Sequence, residues 1–151
     1  MTRPDLPWEG GCLCGQVRFR ISAPPILTMA CHCKGCQRLT SGPFSLSAAI
    51  PSTGFEVTRG ETVVGALHGP NRHDYCPNCM SWMFTRAAGM DWFVNVRPTL
   101  LDDASWFEPF IETGMADKLP WATTPAVHGF EGFPPFEAYA ELSREFAERF
   151  A

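Results

Sequence analysis

"GGCLCGQVRFRIS", residues 10–22, sets two patterns side by side. Its second half alternates, with Val17, Phe19 and Ile21 on one face and Arg18 and Arg20 on the other, which is the period of a half-buried β-strand. Its first half places Cys12 and Cys14 one residue apart between glycines. Residues two apart in extended chain face the same way, and the glycines let the backbone fold around whatever the two sulfurs hold. A strand that opens on a metal-held turn implies a β fold pinned by metal.

The other half of such a pin lies in "YCPNCMS", residues 75–81. A Cys-x-x-Cys with proline inside a tight turn aims Cys76 and Cys79 at one point, the commonest half of a structural zinc site. Together, Cys12, Cys14, Cys76 and Cys79 make a tetrahedral four-thiolate set. Closed zinc sites in small peptides contribute on the order of 10–16 kcal/mol, comparable with the whole net stability of a typical domain, roughly 5–15 kcal/mol.

Removing those four leaves Cys31, Cys33 and Cys36, inside "MACHCKGCQRLTSG", residues 29–42. This trio offers zinc three ligands where it takes four, and an open position is the mark of a catalytic site. A competing partition pairs Cys31 and Cys33 with Cys12 and Cys14, and Cys36 with Cys76 and Cys79. It breaks the most local cluster. His32, flanked by two candidate ligands, is expected to point away from them and to pack or support them. His73, three residues before Cys76, is a candidate fourth ligand for the trio set against an ordinary histidine. His68 and His128 carry no motif and read as structural.

The rest of the chain agrees with a metal-stabilised β protein. With 151 residues, 45% of them hydrophobic, and a net charge of −4, it fits one compact domain spanning 1–151, with a core over 10–125. Fourteen prolines and thirteen glycines, scattered along the chain, favour short elements joined by turns. "FSLSAAI", "TVVGALH", "SWMFT" and "DWFVNV" read as further strands. Residues 103–135 are poorly periodic, with short strands expected near "FEPFIET". Trp82, Trp92, Phe93, Trp106 and Trp121 are assigned to the core on the general burial of aromatics. After Pro134-Pro135, residues 136–150 put Tyr139, Leu142, Phe146 and Phe150 on one face of an amphipathic C-terminal helix. The expected fold class is mainly β: a single compact zinc-stabilised β-sheet domain with short helical turns and that helix.

No stretch has the length or character of a signal h-region or a membrane span, so a cytoplasmic location is expected, without membrane attachment. Seven cysteines in a reducing compartment point to metal binding or chemistry, not disulfides. The acidic balance, pI ≈ 5.5 with no basic stripe, argues against nucleic acid as a partner.

Three thiolates on Zn²⁺ leave a unit of net charge −1, which acidifies a bound water less than a neutral-ligand site does. Such a sulfur-rich site suits a soft fourth ligand, a substrate thiol. A free thiol of pKa near 8.5 is only about 3% thiolate at pH 7, whereas a metal-bound one is deprotonated outright. Lys34, inside the motif, and Arg38, just after it, are placed to offset the added charge and to bind carboxylates of a thiol-containing peptide.

"GGCLCGQVRF", "ACHCKGCQRLTSGPFS", "FEVTRGE" and "NRHDYCPNCMSWMF", with weaker echoes in "NVRPTLLDD" and "DKLPW", resemble the glutathione-dependent formaldehyde-activating enzyme family, which also includes centromere protein V. The resemblance runs over about residues 10–85. It implies a β-rich zinc fold with two Zn²⁺ per chain: a structural ion on Cys12, Cys14, Cys76 and Cys79, and a second, catalytic ion on Cys31, Cys33 and Cys36. It also implies glutathione as the small-molecule partner and condensation with formaldehyde to S-hydroxymethylglutathione, formally a carbon–sulfur lyase run in reverse. Met80 departs from the family, where glycine commonly follows the second knuckle cysteine, and suggests a slightly different turn. Two other functions fit the same residues: a non-catalytic zinc module that binds a macromolecule, and a redox switch in which the metal-free trio oxidises.

Overall fold

Turn-forming residues every few positions leave room only for short strands, and short strands gain stability by pairing with several neighbours. A computed structural model describes residues 3–150. In chain order its elements begin with β1 (Trp8–Gly11), β2 (Arg18–Ile21), β3 (Leu27–Cys31), α1 (Lys34–Thr40), β4 (Ser45–Pro51), β5 (Phe55–Arg59) and β6 (Val63–Gly65). They continue with β7 (Arg72–Tyr75), β8 (Trp82–Arg86), β9 (Phe93–Val96), β10 (Ile111–Thr113), β11 (His128–Gly129) and α2 (Tyr139–Phe150). The protein is mainly β. No helix among the described residues is long and apolar enough to cross a membrane.

Contacts group the chain into two compact units: residues up to Pro25 with Ala48–Phe107, and Ile26–Ser47 with Glu108 onward. In the first, β1, β2 and β5 form a three-stranded antiparallel sheet. The "VRFRI" alternation behaves as its period demands. Val17, Phe19 and Ile21 are completely buried, while Arg18 and Arg20 turn outward to Asp102 and Glu9. The same unit holds an antiparallel series in which the Ala48–Pro51 part of β4 pairs with β9, followed by β8, β7 and β6. Ile50, Met83, Phe84, Val94 and Val96 from those strands join the β2 residues and the Trp8–Trp106 pair in one core. Each such side chain contributes about 1.5–3 kcal/mol by leaving water.

The second unit is built differently. β10 runs parallel to both β3 and β11. Leu142 and Phe146 of α2 are buried with Leu27, Phe110 and Ile111, and Tyr139 and Phe150 flank them, which is the helical face read from the sequence. The helix starts later than the expected residue 136. Phe136–Ala138 form a single 3₁₀ turn, its hydrogen bond running from Ala138 N–H to Pro135 O at 2.9 Å, before the α-helix takes over.

Three expectations need correction. The strand expected over "TVVGALH" stops at Gly65 because Ala66 turns into the left-handed region at φ 57°. Trp92 and Trp121, assigned to the core, are 60% and 69% exposed. Met80 does not select a different turn. It adopts the positive φ itself, at 59°, the conformation that glycine would take more easily.

Candidate metal centres

The four-cysteine group rests on two turns of the first unit. Cys12 follows β1, and its carbonyl accepts the Gly15 N–H at 3.1 Å, with Gly15 at φ 77° closing the turn. The Val17 N–H points at Cys12 Sγ, 3.3 Å away. Cys76 follows β7, and its carbonyl takes the Met80 N–H at 3.0 Å. All four Sγ atoms lie within 4.8 Å of one another. Cys12–Cys14 and Cys14–Cys76 are 3.6 and 3.8 Å apart. A disulfide requires about 2.05 Å. Four sulfurs about 2.3 Å from a tetrahedral zinc stand about 3.8 Å apart, so this spacing is that of a metal's ligand shell.

Ser81 ties the two turns together and was not picked out from the sequence. Its hydroxyl oxygen accepts the Leu13 N–H at 3.1 Å and lies 3.2 Å from Cys79 Sγ, to which it donates. That hydrogen bond is the main reason the Cys79 thiol is lowered to about 5. A hydrogen bond from Asn78 likewise lowers Cys14, while burial raises Cys76. Two of the four groups already favour the thiolate that a metal needs.

The trio lies in the second unit, where a strand hands over to a helix. Cys31 ends β3 opposite Thr113 of β10. Cys33 caps α1, its sulfur accepting the Cys36 N–H at 3.4 Å, and Cys36 sits in the helix's first turn. The three Sγ atoms also lie within 4.8 Å of one another, and among the described residues no His, Asp or Glu donor gathers with them. A hydrogen bond from the Cys36 thiol is the largest influence holding Cys31 down at about 5. The same sharing pushes Cys36 up, and burial raises Cys33. Hydrogen bonding within the trio thus favours the thiolate form of Cys31 over those of Cys33 and Cys36.

The sulfur atoms of the seven cysteines gather as one group of four and one of three. His32 turns away from the sulfurs as expected. It is fully buried, its Nε2 2.8 Å from Glu112 Oε1 and its ring edge-on to Phe44. His73 directs Nδ1 to Thr85 Oγ1 at 2.7 Å. Lys34 and Arg38 stand one turn apart, exposed, on α1.

The segment after β10 holds the trio's backbone. Gly114, at φ 63°, lets its chain approach Cys33 so closely that a Cβ there would lie 2.8 Å from Cys33 N. Asp117 Oδ2 accepts the Lys34 N–H at 3.1 Å, and Gln37 Nε2 bridges His32 O and Asp117 O at 2.7 and 2.8 Å. Beside the C-terminal end of α1 an open groove is lined by Gln37, Arg38, Pro43, Leu119 and Trp121.

Both groups fit zinc by donor chemistry and spacing, one as a closed shell and one as a shell lacking a ligand. Residues 7–117, which include all seven cysteines, match the family described as glutathione-dependent formaldehyde-activating enzyme. A crystal structure of a Rhodobacter sphaeroides protein is similar in fold, with a TM-score of 0.53 at 18% identity over 62% of this chain and 87% of that one.

Proposed function

Because the chain belongs to the glutathione-dependent formaldehyde-activating enzyme family, we propose that it is a zinc-dependent carbon–sulfur lyase-type enzyme that joins glutathione, or a related thiol, to formaldehyde. The observation that carries this reading is the three-sulfur group with no fourth protein donor among the described residues. Cys31, Cys33 and Cys36 would hold a zinc ion, which would supply Lewis acidity and keep a substrate thiol deprotonated at neutral pH. The four-cysteine set, closed on itself, serves the fold.

The chain's own groups then have separate roles. The three cysteines fix the reacting centre at the junction of β3 and α1, and Gly114 and Asp117 fix the backbone of that junction. Lys34 and Arg38 offset the negative charge of a fourth sulfur and engage the carboxylates of a peptide thiol. The groove beside Arg38, with Trp121 and Leu119 on its wall, takes the remainder of the peptide. In the reaction the thiolate sulfur donates a lone pair to the aldehyde carbon, a C–S bond forms, and the carbonyl π pair moves to oxygen, which takes a proton from water. No residue is required as a general acid.

The test is exchange NMR on glutathione and formaldehyde with zinc-loaded protein. Wild type should broaden the S-hydroxymethylglutathione signal beyond the uncatalysed exchange. Cys33→Ser should lose that effect while staying folded, and Lys34→Ala with Arg38→Ala should raise KM more than lower kcat. Absence of acceleration by wild type, or equal acceleration by Cys33→Ser, rejects the reading.

A further inference from the structure

The first unit carries a second constellation that includes none of the cysteines. β7, β8 and β9 pair so that His73, Thr85 and Asn95 form one row across the sheet, with Gly65 of β6 and Ala49 of β4 at its ends. The bulge between Asp74 and Tyr75 sets Tyr75 opposite Trp82, their rings stacked at 6.4 Å. The Arg97 guanidinium lies 3.9 Å from the Trp82 ring centroid. The row contains no carboxylate. Asp74 faces the other side of β7, where it meets Thr62 and Arg72.

Hydrogen bonding fixes the protons here. Thr85 Oγ1 lies 2.8 Å from Arg97 Nη2 and 3.2 Å from Trp82 Nε1. Both of those groups only donate, so they fill the two lone pairs of the hydroxyl oxygen. The Thr85 O–H is left with one direction, toward His73 Nδ1 at 2.7 Å. A neutral imidazole that accepts at Nδ1 carries its own proton on Nε2. Burial, first, and the charge of Arg97, second, keep the ring neutral by lowering it to about 4. His73 is therefore a neutral donor whose Nε2 is buried with no hydrogen-bond partner, and Asn95 Oδ1 in the same row is also buried without one.

A buried N–H lacking an acceptor is costly in a finished core, at about 1–3 kcal/mol. Here it sits in a row with an amide and close to a guanidinium, between the small residues Gly65 and Ala49 and against aromatic rings. A metal ion has the wrong charge and finds Nδ1 already engaged. An anion with oxygen acceptors has the right charge for Arg97 and the right complement for the His73 Nε2–H.

The geometry points to a carboxylate-binding site on this sheet face, in which His73 Nε2–H donates to a ligand oxygen and Arg97 supplies the opposite charge. Its cover is the loop after β6, which lays His68 over the His73 ring at 5.6 Å and exposes Leu67 to solvent. A ligand enters by displacing that loop. The carboxylate belongs to a free monocarboxylic acid or to the end of a peptide, and the two are separable by probe.

The experiment uses zinc-loaded full-length protein labelled with ¹⁵N-histidine, followed by long-range ¹H–¹⁵N spectra near neutral pH at constant ionic strength. His73 is expected as the Nε2–H tautomer. Sodium acetate or S-methylglutathione, whose sulfur is blocked, should shift its Nε2–H resonance saturably. A shift with acetate identifies a free carboxylate, and a shift with the tripeptide alone identifies a peptide terminus. In Arg97→Gln the apparent affinity should fall by roughly tenfold or more, about 1.4 kcal/mol or more. Thr85→Val should mix the two tautomers. An Nδ1–H tautomer in wild type, or no shift with either probe, overturns the proposal. The wild-type titration decides this even if the buried variants fail to fold.

Discussion

Gly114→Ala adds one methyl group at the place where the chain after β10 presses on the trio, and its consequences follow from two quantities. At φ 63°, an L-residue costs about 1–2 kcal/mol relative to glycine. The new Cβ would also stand 2.8 Å from Cys33 N and 3.1 Å from Cys33 Cβ, where ordinary contact begins at 3.4 Å. These neighbours are backbone and Cβ atoms of Cys33, with no flexible side-chain end to swing aside, so overpacking adds about 1–3 kcal/mol. The total, roughly 2–5 kcal/mol, is survivable for a domain of ordinary stability but falls on the residue that caps α1. Urea unfolding of the zinc-loaded protein should show the loss as a lower midpoint at unchanged slope. Competition with a chromophoric chelator should release one of two zincs earlier than in wild type and leave the other unaffected. A variant within half a kilocalorie of wild type, with the same zinc release, would refute the reasoning about this close approach.

Two further outcomes follow from the first unit. Met80, exposed at φ 59°, should be improved by replacement: Met80→Gly is expected to raise stability by about 1 kcal/mol in the same urea assay, with zinc content unchanged. His73 is lowered to about 4 in the folded protein from 6.5 when unfolded, so the unfolded chain takes the proton first. Its contribution is therefore fully present above pH 6.5, falls by up to about 1.4 kcal/mol per pH unit between 6.5 and 4, and is constant below that. The stability difference between wild type and His73→Gln, measured across that range, should carry this slope. A difference independent of pH would show that the ring is not held neutral.

The parts of this molecule that could be read from its sequence are those whose signal is local. Alternation of apolar and charged residues marked β2 because its two faces meet different surroundings, core on one side and the Asp102 and Glu9 carboxylates on the other. Cysteine spacing marked both candidate metal centres for the same reason, since ligands sharing one turn must be close in sequence. β7 escaped notice because "RHDY" buries a histidine and an aspartate, whose contacts with Thr85 and Thr62 no pattern in the strand announces. β3 escaped because nearly all of "LTMAC" is buried, which removes alternation. Glu112, Gly114 and Asp117 act on His32, Cys33 and Lys34 across some eighty residues through the β3–β10 pairing, and only the fold reveals that. A local trace did exist in "ETG", where a glycine directly after a strand marks a backbone turn or close approach. The exposure of Trp121 beside Arg38 ran against the general burial of aromatics, and its position on a groove wall supplies a reason.

The central claim is that one metal site is closed and the other lacks a ligand that a substrate thiol supplies. X-ray absorption at the zinc edge measures this directly on protein carrying two zincs per chain. Without glutathione the mean coordination should be about 3.5 sulfurs per zinc, from shells of four and three, and glutathione should raise it to about 4. A mean that stays the same when glutathione is added would contradict the account.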